Sequence, residues 1–251
     1  MSNASSFHPS PQVLEILRYW PDLEASVGKD IGRYLEFLLT ENQKFNLTGD
    51  KDPERQWKAH VEDVLLAARE IAEFLKPRGA SPAAARIADI GSGAGIPGLV
   101  WAKIWPGSEV RLVEATEKKC RFLEQAAEII GANNVRVLKG RAEDLAREDD
   151  HREMFDIVVA RGLAQMRVLA EWTLPFVKPG GHLIAIKGAE IDGEIDDSAG
   201  ALEVLGGEHL PQCLPYTRSD GKACQVVACE KTRPTPPNYP RRPGVARKRP
   251  L

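Results

Sequence analysis

Residues 87–98 read Ile-Ala-Asp-Ile-Gly-Ser-Gly-Ala-Gly-Ile-Pro-Gly, and this stretch decides the fold. Its first residues are mostly apolar and predict a buried strand that ends at Ile90, directly before a glycine-rich turn. Pro97 suits the first turn of a helix, where its missing N–H costs no hydrogen bond. Glycine lets the turn adopt positive φ and lets a ligand approach the backbone. The stretch therefore predicts a strand, a turn and a helix, with a cofactor site at the turn.

Two glycine patterns overlap in this turn. Gly93-x-Gly95-x-x-Gly98 matches the dinucleotide fingerprint, in which a pyrophosphate lies at the start of the helix. Gly91-x-Gly93-x-Gly95, preceded by Asp89, is instead typical of methyltransferases that use S-adenosylmethionine. The first glycine of the dinucleotide fingerprint follows its strand directly, and here Gly91 holds that place. We therefore favour a methyltransferase and keep a nicotinamide-dependent oxidoreductase as the alternative.

Apolar runs that read as strands alternate with helical segments beyond this turn. Strands separated by helices of about 10–15 residues predict parallel crossovers. The last two strands are joined only by residues 216–223, which is too short for a helical crossover, so that pair should be antiparallel. The predicted strands are Arg86–Ile90, Glu109–Glu114, Val135–Leu138, Ile157–Ala160, His182–Lys187, His209–Pro215 and Cys224–Cys229.

The N-terminal part has apolar residues at helical spacing instead. It predicts two helices broken near Pro21 and a third from about Pro53 to Leu75. The whole pattern predicts an α/β, Rossmann-like class I methyltransferase fold, with a mostly parallel seven-stranded sheet, a final antiparallel strand and an N-terminal helical extension. The predicted segments are the extension at 1–80, the cofactor-binding core at 81–231 and a Pro-rich, irregular tail at 232–251.

Bulk composition restricts the class of protein. The 251 residues are 43% hydrophobic and 28% charged, as in ordinary globular proteins. No apolar run approaches the ~18 residues of a membrane span, and no basic segment precedes an apolar one at the N-terminus. The four cysteines lack C-x-x-C spacing, so we expect reduced thiols and no metal site. These features predict a cytoplasmic protein without membrane partners, and we expect a monomer.

Charge is distributed unevenly along the chain. Seven of the 34 Lys and Arg residues lie beyond Glu230, where there is no acidic residue. Residues 1–230 therefore carry a net charge of −9 and the tail carries +7. Arg241 and Arg242 in this tail could contact the phosphates of a nucleic acid. The alternatives are a solvated terminus, or a segment 239–244 that folds back onto the core.

Polar residues at the ends of the predicted strands suggest how a cofactor is held. Glu114 ends the second strand, where a carboxylate can accept hydrogen bonds from ribose hydroxyls. It could also simply cap the helix that follows. Glu143 follows the third strand and could contact the cofactor or serve as a helix-start acid. Arg161 ends the fourth strand, at the edge of the sheet where ligands bind in open α/β folds.

The sequence also limits the kind of methyl acceptor. No Asp/Asn-Pro-Pro-aromatic motif, typical of exocyclic-amine methylation, follows the fourth strand. Pyrimidine C5 methylation needs a cysteine nucleophile, and no cysteine follows the fourth or fifth strand. The remaining acceptor is one that is already nucleophilic, such as a ring nitrogen. Catalysis would then depend on positioning and electrostatics.

The ordered set of motifs resembles the RsmG family, also called GidB, of bacterial 16S ribosomal RNA guanine-N7 methyltransferases. The resemblance covers about residues 30–251. The motifs are Phe45-Asn46-Leu47-Thr48, Lys58-Ala59-His60-Val61-Glu62-Asp63, residues 89–98, Lys118–Leu123, Arg141-Ala142-Glu143, Ala160-Arg161-Gly162, Ile186-Lys187-Gly188 and Tyr239-Pro240-Arg241-Arg242-Pro243-Gly244.

The resemblance implies S-adenosylmethionine as cofactor, S-adenosylhomocysteine as product, and 16S ribosomal RNA or the small ribosomal subunit as partner. A module that binds RNA without transferring a methyl group stays an alternative. Arg161 and His60 are the predicted catalytic residues. Together with the glycine motif, the resemblance predicts cofactor contacts at Asp89, Gly91, Gly93, Gly95, Ile96, Glu114, Ala115, Thr116, Ala142, Glu143 and Arg161. The predicted RNA contacts are Asn46, Lys58, Lys118, Lys187, Arg241 and Arg242, and Asp63 is expected on the same surface or near the cofactor.

Overall fold

The computed structural model describes residues 9–21, 24–49 and 52–251, so the first eight residues of the predicted extension lie outside it. The predicted break near Pro21 is confirmed, and a continuous helical segment runs from Pro53 to Leu75. Its middle turn, Trp57–Glu62, is π-helical, a geometry frequent at functional sites, and the apolar periodicity gave no sign of it. The N-terminal helices are α1 (Pro11–Leu17), α2 (Glu24–Asn42), α3 (Pro53–Gln56) and α4 (Asp63–Leu75).

Seven strands form one sheet in the order β3-β2-β1-β4-β5-β7-β6. Strands β1 to β5 are parallel, and β7 is antiparallel to both β5 and β6, which confirms the predicted topology. The strands are β1 (Arg86–Ile90), β2 (Glu109–Glu114), β3 (Val135–Lys139), β4 (Phe155–Arg161), β5 (Val177–Gly188), β6 (Gln212–Thr217) and β7 (Ala223–Glu230).

The largest difference from the predicted strands lies at the start of β5. The sequence Pro179-Gly180-Gly181 indicates a turn, so the strand was predicted to begin at His182. In the structure the strand begins at Val177, which pairs with Phe155 before a register shift. Tertiary pairing across this irregularity overrides the local preference of proline and glycine.

Helices cover both faces of the sheet. Alternate residues of each strand point to opposite faces, so Ile87 packs in one hydrophobic cluster and Ala88 in the other. The N-terminal helices pack in the first cluster, and Trp101 Nε1 donates to the Val64 carbonyl at 2.9 Å. The extension therefore shares its core with the sheet. The remaining helices are α5 (Gly98–Ile104), α6 (Glu117–Ile129), α7 (Ala142–Leu145), α8 (Met166–Thr173), α9 (Asp192–Asp196), α10 (Ala199–Val204) and α11 (Val245–Lys248).

The C-terminal residues are irregular except for α11, but they are packed on the core. The Lys231 ammonium is buried and contacts Glu153 Oε1 at 3.1 Å, and burial lowers its pKa to about 8. Arg152 donates to the carbonyl oxygens of Thr235 and Tyr239. Of the two alternatives for residues 239–244, the structure shows the one in which the segment folds back. Every helix among the described residues is too short or too polar to cross a bilayer.

Candidate functional site

The glycine turn after β1 adopts a backbone conformation that favours glycine at three positions. Gly91, Gly93 and Gly95 have φ values of +71°, +56° and +88°. A Cβ atom on Gly91 would also lie 2.6 Å from the Leu163 side chain. A side chain at Gly91 would therefore be strained and would occupy the space that a ligand needs.

Asp89 fixes this turn to the helix that follows it. Its carboxylate is 1% exposed and accepts a hydrogen bond from the Gly98 backbone N–H at 3.0 Å. Burial raises the pKa of Asp89 to about 7, and the Gly98 N–H and the Arg161 charge oppose the shift. Ile96 is buried in the core as well. The structure thus places both residues behind the turn, where they shape it.

Glu114 connects the end of β2 to the same turn. Its Oε2 accepts from the Gly93 N–H at 3.2 Å, and its Oε1 accepts from the Thr116 N–H at 2.8 Å. The side chain is 7% exposed. A carboxylate has about four acceptor positions, so two backbone bonds leave capacity for hydroxyl donors. Helix capping and ligand binding, set out above as alternatives for Glu114, are compatible.

A cavity of about 300 Å³ opens beside this turn, between the ends of β1, β2 and β3. It is lined by five of the predicted cofactor residues, namely Gly91, Glu114, Ala115, Ala142 and Glu143. Four other lining residues are not among the predicted cofactor contacts: Lys119, Trp172, Gly244 and Arg247. We call this the glycine-turn cavity. The Gly93 and Thr116 N–H groups bond to Glu114, which lines the cavity. Gly95 belongs to the same turn as Gly91 and Gly93.

A second cavity, of about 340 Å³, lies at the carboxyl ends of β4 and β5. Gly162 lines this cavity and Leu163 lines the glycine-turn cavity, so consecutive residues separate the two. We call it the Arg161 cavity. Its polar lining residues are Asp63, Arg161, Lys187, Arg218, Lys222 and Cys224.

Arg161 joins β4 to the π-helical turn. Its Nε donates to Asp63 Oδ2 at 2.9 Å, and its Nη2 donates to the Ala59 carbonyl at 2.6 Å. His60 Nδ1 lies 3.2 Å from Nη1. Because guanidinium is always a donor, Nδ1 must be the acceptor. The structure thus brings together the predicted catalytic pair, with His60 reaching the site through Arg161.

Two acidic neighbours in the helix anchor other parts of the site. Asp63 Oδ1 accepts from the Tyr216 hydroxyl at 2.9 Å, next to its ion pair with Arg161. Glu62 accepts from the Ser219 N–H at 2.5 Å and from the Ser219 hydroxyl at 2.7 Å. The turn between β6 and β7 is therefore held against the N-terminal helices, which places Arg218 in the Arg161 cavity.

Tyr34 of α2 supports the glycine turn from the other side. Its hydroxyl donates to the Ala94 carbonyl at 2.5 Å. Burial raises the pKa of Tyr34, so the hydroxyl keeps its proton and donates. The sequence showed Tyr34 only as one apolar position of a helix. Nothing local marks it as part of a cofactor site, since its partner is 60 residues away.

The predicted RNA contacts are found in different surroundings. Asn46 and Lys118 are exposed, and Lys58 is half-buried in the π-helical turn. Lys187 lines the Arg161 cavity, where its ammonium donates to the Ala164 carbonyl and to Glu194 Oε1. Arg242 is exposed, whereas the guanidinium of Arg241 pairs with Glu171. Of this set, Lys187 lines the Arg161 cavity.

Metal ligands do not cluster in the described ranges: no group of three His, Cys, Asp or Glu side chains there could hold a metal ion.

Comparison with known proteins identifies relatives for most of the chain. Residues 28–214 match the family model GidB, described as rRNA small subunit methyltransferase G. A protein of Moorella thermoacetica named ribosomal RNA small subunit methyltransferase G is 44% identical over 223 residues, which cover 88% of this chain and 89% of the relative. A protein of Symbiobacterium thermophilum with the same name is 39% identical over 224 residues, covering 87% of each chain.

A solved structure confirms the fold class independently. The O-methyltransferase from Bacillus cereus, determined in complex with SAH, superposes with a TM-score of 0.51 at 22% identity, over 79% of this chain and 90% of that one. At this identity the similarity shows the fold alone. The sequence relatives confirm the resemblance that the motifs predicted. The chain belongs to the rRNA small subunit methyltransferase G family, GidB.

Proposed function

We propose that the protein transfers a methyl group from S-adenosylmethionine to N7 of a guanine in 16S ribosomal RNA, either free or within the small subunit, and releases S-adenosylhomocysteine. The match to the family model carries this proposal, because it runs through the glycine turn, Glu114 and Arg161. The relatives that share this stretch are named for ribosomal RNA methylation.

The glycine-turn cavity suits an adenosyl cofactor. Its volume of about 300 Å³ is at the lower end of the range for small-molecule sites. Gly91 presents backbone without a side chain, and the Glu114 carboxylate can accept from ribose hydroxyls. Glu143, also in the lining, provides a second acceptor. We assign cofactor binding to these residues, with Asp89, Tyr34 and Ile96 holding the turn in place.

The same geometry argues against a dinucleotide. The alternative glycine pattern requires a pyrophosphate at the start of α5, close to the Gly98 N–H. That N–H already donates to the Asp89 carboxylate. A pyrophosphate there would meet the buried Asp89 side chain. The Asp89 carboxylate therefore occupies the position at the start of α5 that a pyrophosphate would need.

The chemistry needs positioning more than proton transfer. S-adenosylmethionine supplies a methyl group bonded to a positively charged sulfur atom. Guanine N7 carries a lone pair and no proton, so the N–C bond forms as the S–C bond breaks, and no base is required. Positive charge moves from sulfur to the guanine ring. Asp63 offsets the charge of Arg161, so the Arg161 guanidinium does not act as an unpaired charge against the developing cation.

A cysteine does reach the Arg161 cavity, although none follows β4 or β5. Cys224 arrives on β7, which pairs with the end of β5. Burial raises the pKa of the Cys224 thiol, and the Asp63 carboxylate raises it further. The thiolate is the nucleophile in pyrimidine C5 methylation. A thiol that stays protonated argues against pyrimidine C5 methylation at this site.

The cations of the Arg161 cavity suit an RNA substrate. Lys187, Arg218 and Lys222 join Arg161 in the lining. Among the described residues, no carboxylate pairs with the Lys222 ammonium, which leaves it available for a phosphate. We assign phosphate contacts of the target nucleotide to this side, because neutralising phosphates dominates affinity for nucleic acids.

The test is methylation of small subunits that lack the modification. Purified protein and labelled S-adenosylmethionine are incubated with subunits or free 16S RNA, and the methylated nucleoside is identified by mass spectrometry. We expect 7-methylguanosine at one site. Cofactor and RNA binding without any transfer would support the non-catalytic module, and tight binding of NADH without S-adenosylmethionine would support the oxidoreductase.

Arg161→Ala tests the assignment of the acceptor side. Turnover should fall on the order of 100-fold, the effect of misplacing a substrate by about 1 Å. Because the variant leaves Asp63 buried without its cation, Arg161→Ala/Asp63→Asn should recover stability but not activity. Arg121→Ala, an exposed arginine of α6, is the control for loss of charge alone. Near wild-type turnover of a folded Arg161→Ala protein would contradict the assignment.

A further inference from the structure

The last residues of the chain form part of the cofactor site. Residues 239–251, which we call the C-terminal strap, fold back across α8 and α7. Tyr239 and Leu251 pack against the hydrophobic cluster on that face of the sheet. Gly244 and Arg247 line the glycine-turn cavity together with Gly91 and Glu114. Any ligand that fills this cavity therefore lies against the strap.

An ion pair fastens the strap to α8. Arg241 Nε lies 2.9 Å from Glu171 Oε1, and Arg241 Nη2 lies 2.5 Å from Oε2. The Arg241 backbone N–H also donates to Oε1 at 2.7 Å. Glu171 is fully buried. A buried carboxylate without its cation is strongly unfavourable, so these three bonds hold the strap at one position.

Further contacts shape the face of the strap that lines the cavity. The Gly244 N–H donates to Glu143 Oε1 at 3.1 Å, from a backbone with φ of +81°. Ala246 is buried against Trp172 and Val168. The Arg247 guanidinium lies over the Trp172 ring, 5.5 Å from its centroid. Glu143 and Trp172 thus contact both the strap and the cavity.

We propose that the C-terminal strap is a wall of the cofactor cavity whose docking, through Arg241 and Glu171, sets the affinity for the cofactor. The inference rests on the proposed function only for the identity of the ligand. Coupling between two binding events is reciprocal. A docked strap favours cofactor binding, and bound cofactor must in turn hold the strap in place.

This assignment separates two neighbouring arginines that the sequence grouped together. From charge alone, both Arg241 and Arg242 are predicted to contact RNA phosphates. In the structure Arg241 forms an ion pair with Glu171, whereas Arg242 is exposed. Arg242→Ala is therefore a matched control for Arg241→Ala, with the same change one residue away.

The experiment measures S-adenosylhomocysteine affinity by calorimetry for the wild-type protein and three variants. Arg241→Ala should weaken binding about fivefold or more, within the usual range of coupling between sites. Arg241→Ala/Glu171→Gln removes the buried charge as well, so it should keep the melting temperature close to wild type and still bind weakly. Arg242→Ala should bind S-adenosylhomocysteine with the affinity of the wild type.

Hydrogen exchange supplies a measurement that a merely structural tail would not affect. Added S-adenosylhomocysteine should slow exchange of the amides from Gly244 to Lys248 in the wild type, and much less in the double variant. Wild-type affinity in the folded double variant, or exchange that the ligand leaves unchanged, would overturn the proposal. A wild-type protein that binds S-adenosylhomocysteine but methylates no RNA would refute the proposed function and leave the strap intact.

Discussion

Replacing Tyr34 by phenylalanine removes one oxygen atom from the support of the glycine turn. The ring stays buried beside Phe122, and only the hydrogen bond to the Ala94 carbonyl is lost. Ala94 lies between Gly93 and Gly95, so this bond links α2 directly to the turn that we assign to the cofactor. The change is therefore local and adds no bulk.

The expected magnitude follows from burial of the carbonyl that loses its donor. Leaving a buried acceptor unsatisfied costs about 1–3 kcal/mol. For a chain of this size, that loss lowers Tm by about 2–12 °C. Cofactor binding needs one conformation of the turn, and population of any other raises the apparent Kd in proportion. We expect S-adenosylhomocysteine affinity to fall about 3- to 10-fold, or by about 0.6–1.4 kcal/mol.

Calorimetric titration and thermal unfolding of the same preparations measure both effects. Tyr19→Phe is the matched control, because the Tyr19 hydroxyl also donates to a side chain, Glu73, but at the exposed surface. It should change stability by less than about 0.5 kcal/mol and leave the affinity unaltered. If Tyr34→Phe kept both the Tm and the affinity of the wild type, Tyr34 would have no role in holding the turn.

Three further predictions concern the strand ends. Gly91→Val should lower S-adenosylhomocysteine affinity at least about tenfold, because the valine side chain would meet Leu163 and would be strained at positive φ. Unchanged affinity in a folded variant would rule out a cofactor site at Gly91. Glu114→Ala should weaken binding by about 1–3 kcal/mol and also lower the urea midpoint, since two backbone N–H groups lose their acceptor; an effect below twofold would move the ribose contact elsewhere. The pKa of Asp89 is raised to about 7, above its unfolded value, so its protonation stabilises the folded protein at acidic pH and that stability is lost as pH rises through about 7. Asp89→Asn should flatten the fall in stability between about pH 4 and pH 7. The same pH dependence of urea-unfolding stability in the two proteins would contradict this.

The sheet and the glycine-turn cavity could largely be predicted because their determinants are local. Gly91, Glu114 and Glu143 lie at or just after the end of strands that the apolar pattern identifies, and parallel strands bring their carboxyl ends together. Tyr34, Arg218 and Trp172 enter the site from distant segments by tertiary packing. No spacing rule connects them to the turn.

The role of Arg241 could not be predicted from the charge of the tail, because the sequence does not show which residue pairs with it. A basic, proline-containing tail indicates a solvated segment or a nucleic-acid contact, and the sequence gives no distance from Arg241 to Glu171. One local signal was present. Glu171 lies between Ala170 and Trp172 on a helix that is otherwise largely apolar, and an acid in that position requires a buried cation. The position of Glu171 in the sequence therefore indicated that a basic residue elsewhere in the chain pairs with it.

The two acids at the end of the π-helical turn also determine the order in which the site can form. Glu62 and Asp63 bond to Ser219, Tyr216 and Arg161, which are 157, 153 and 98 residues away in the chain. The Glu114 bond to Gly93 spans only 21 residues. Contacts between distant segments pay the largest loop-closure entropy and form late during folding. We therefore expect the glycine turn to assemble with the first two strands, and the Arg161 cavity to form once the final hairpin has docked on the N-terminal helices.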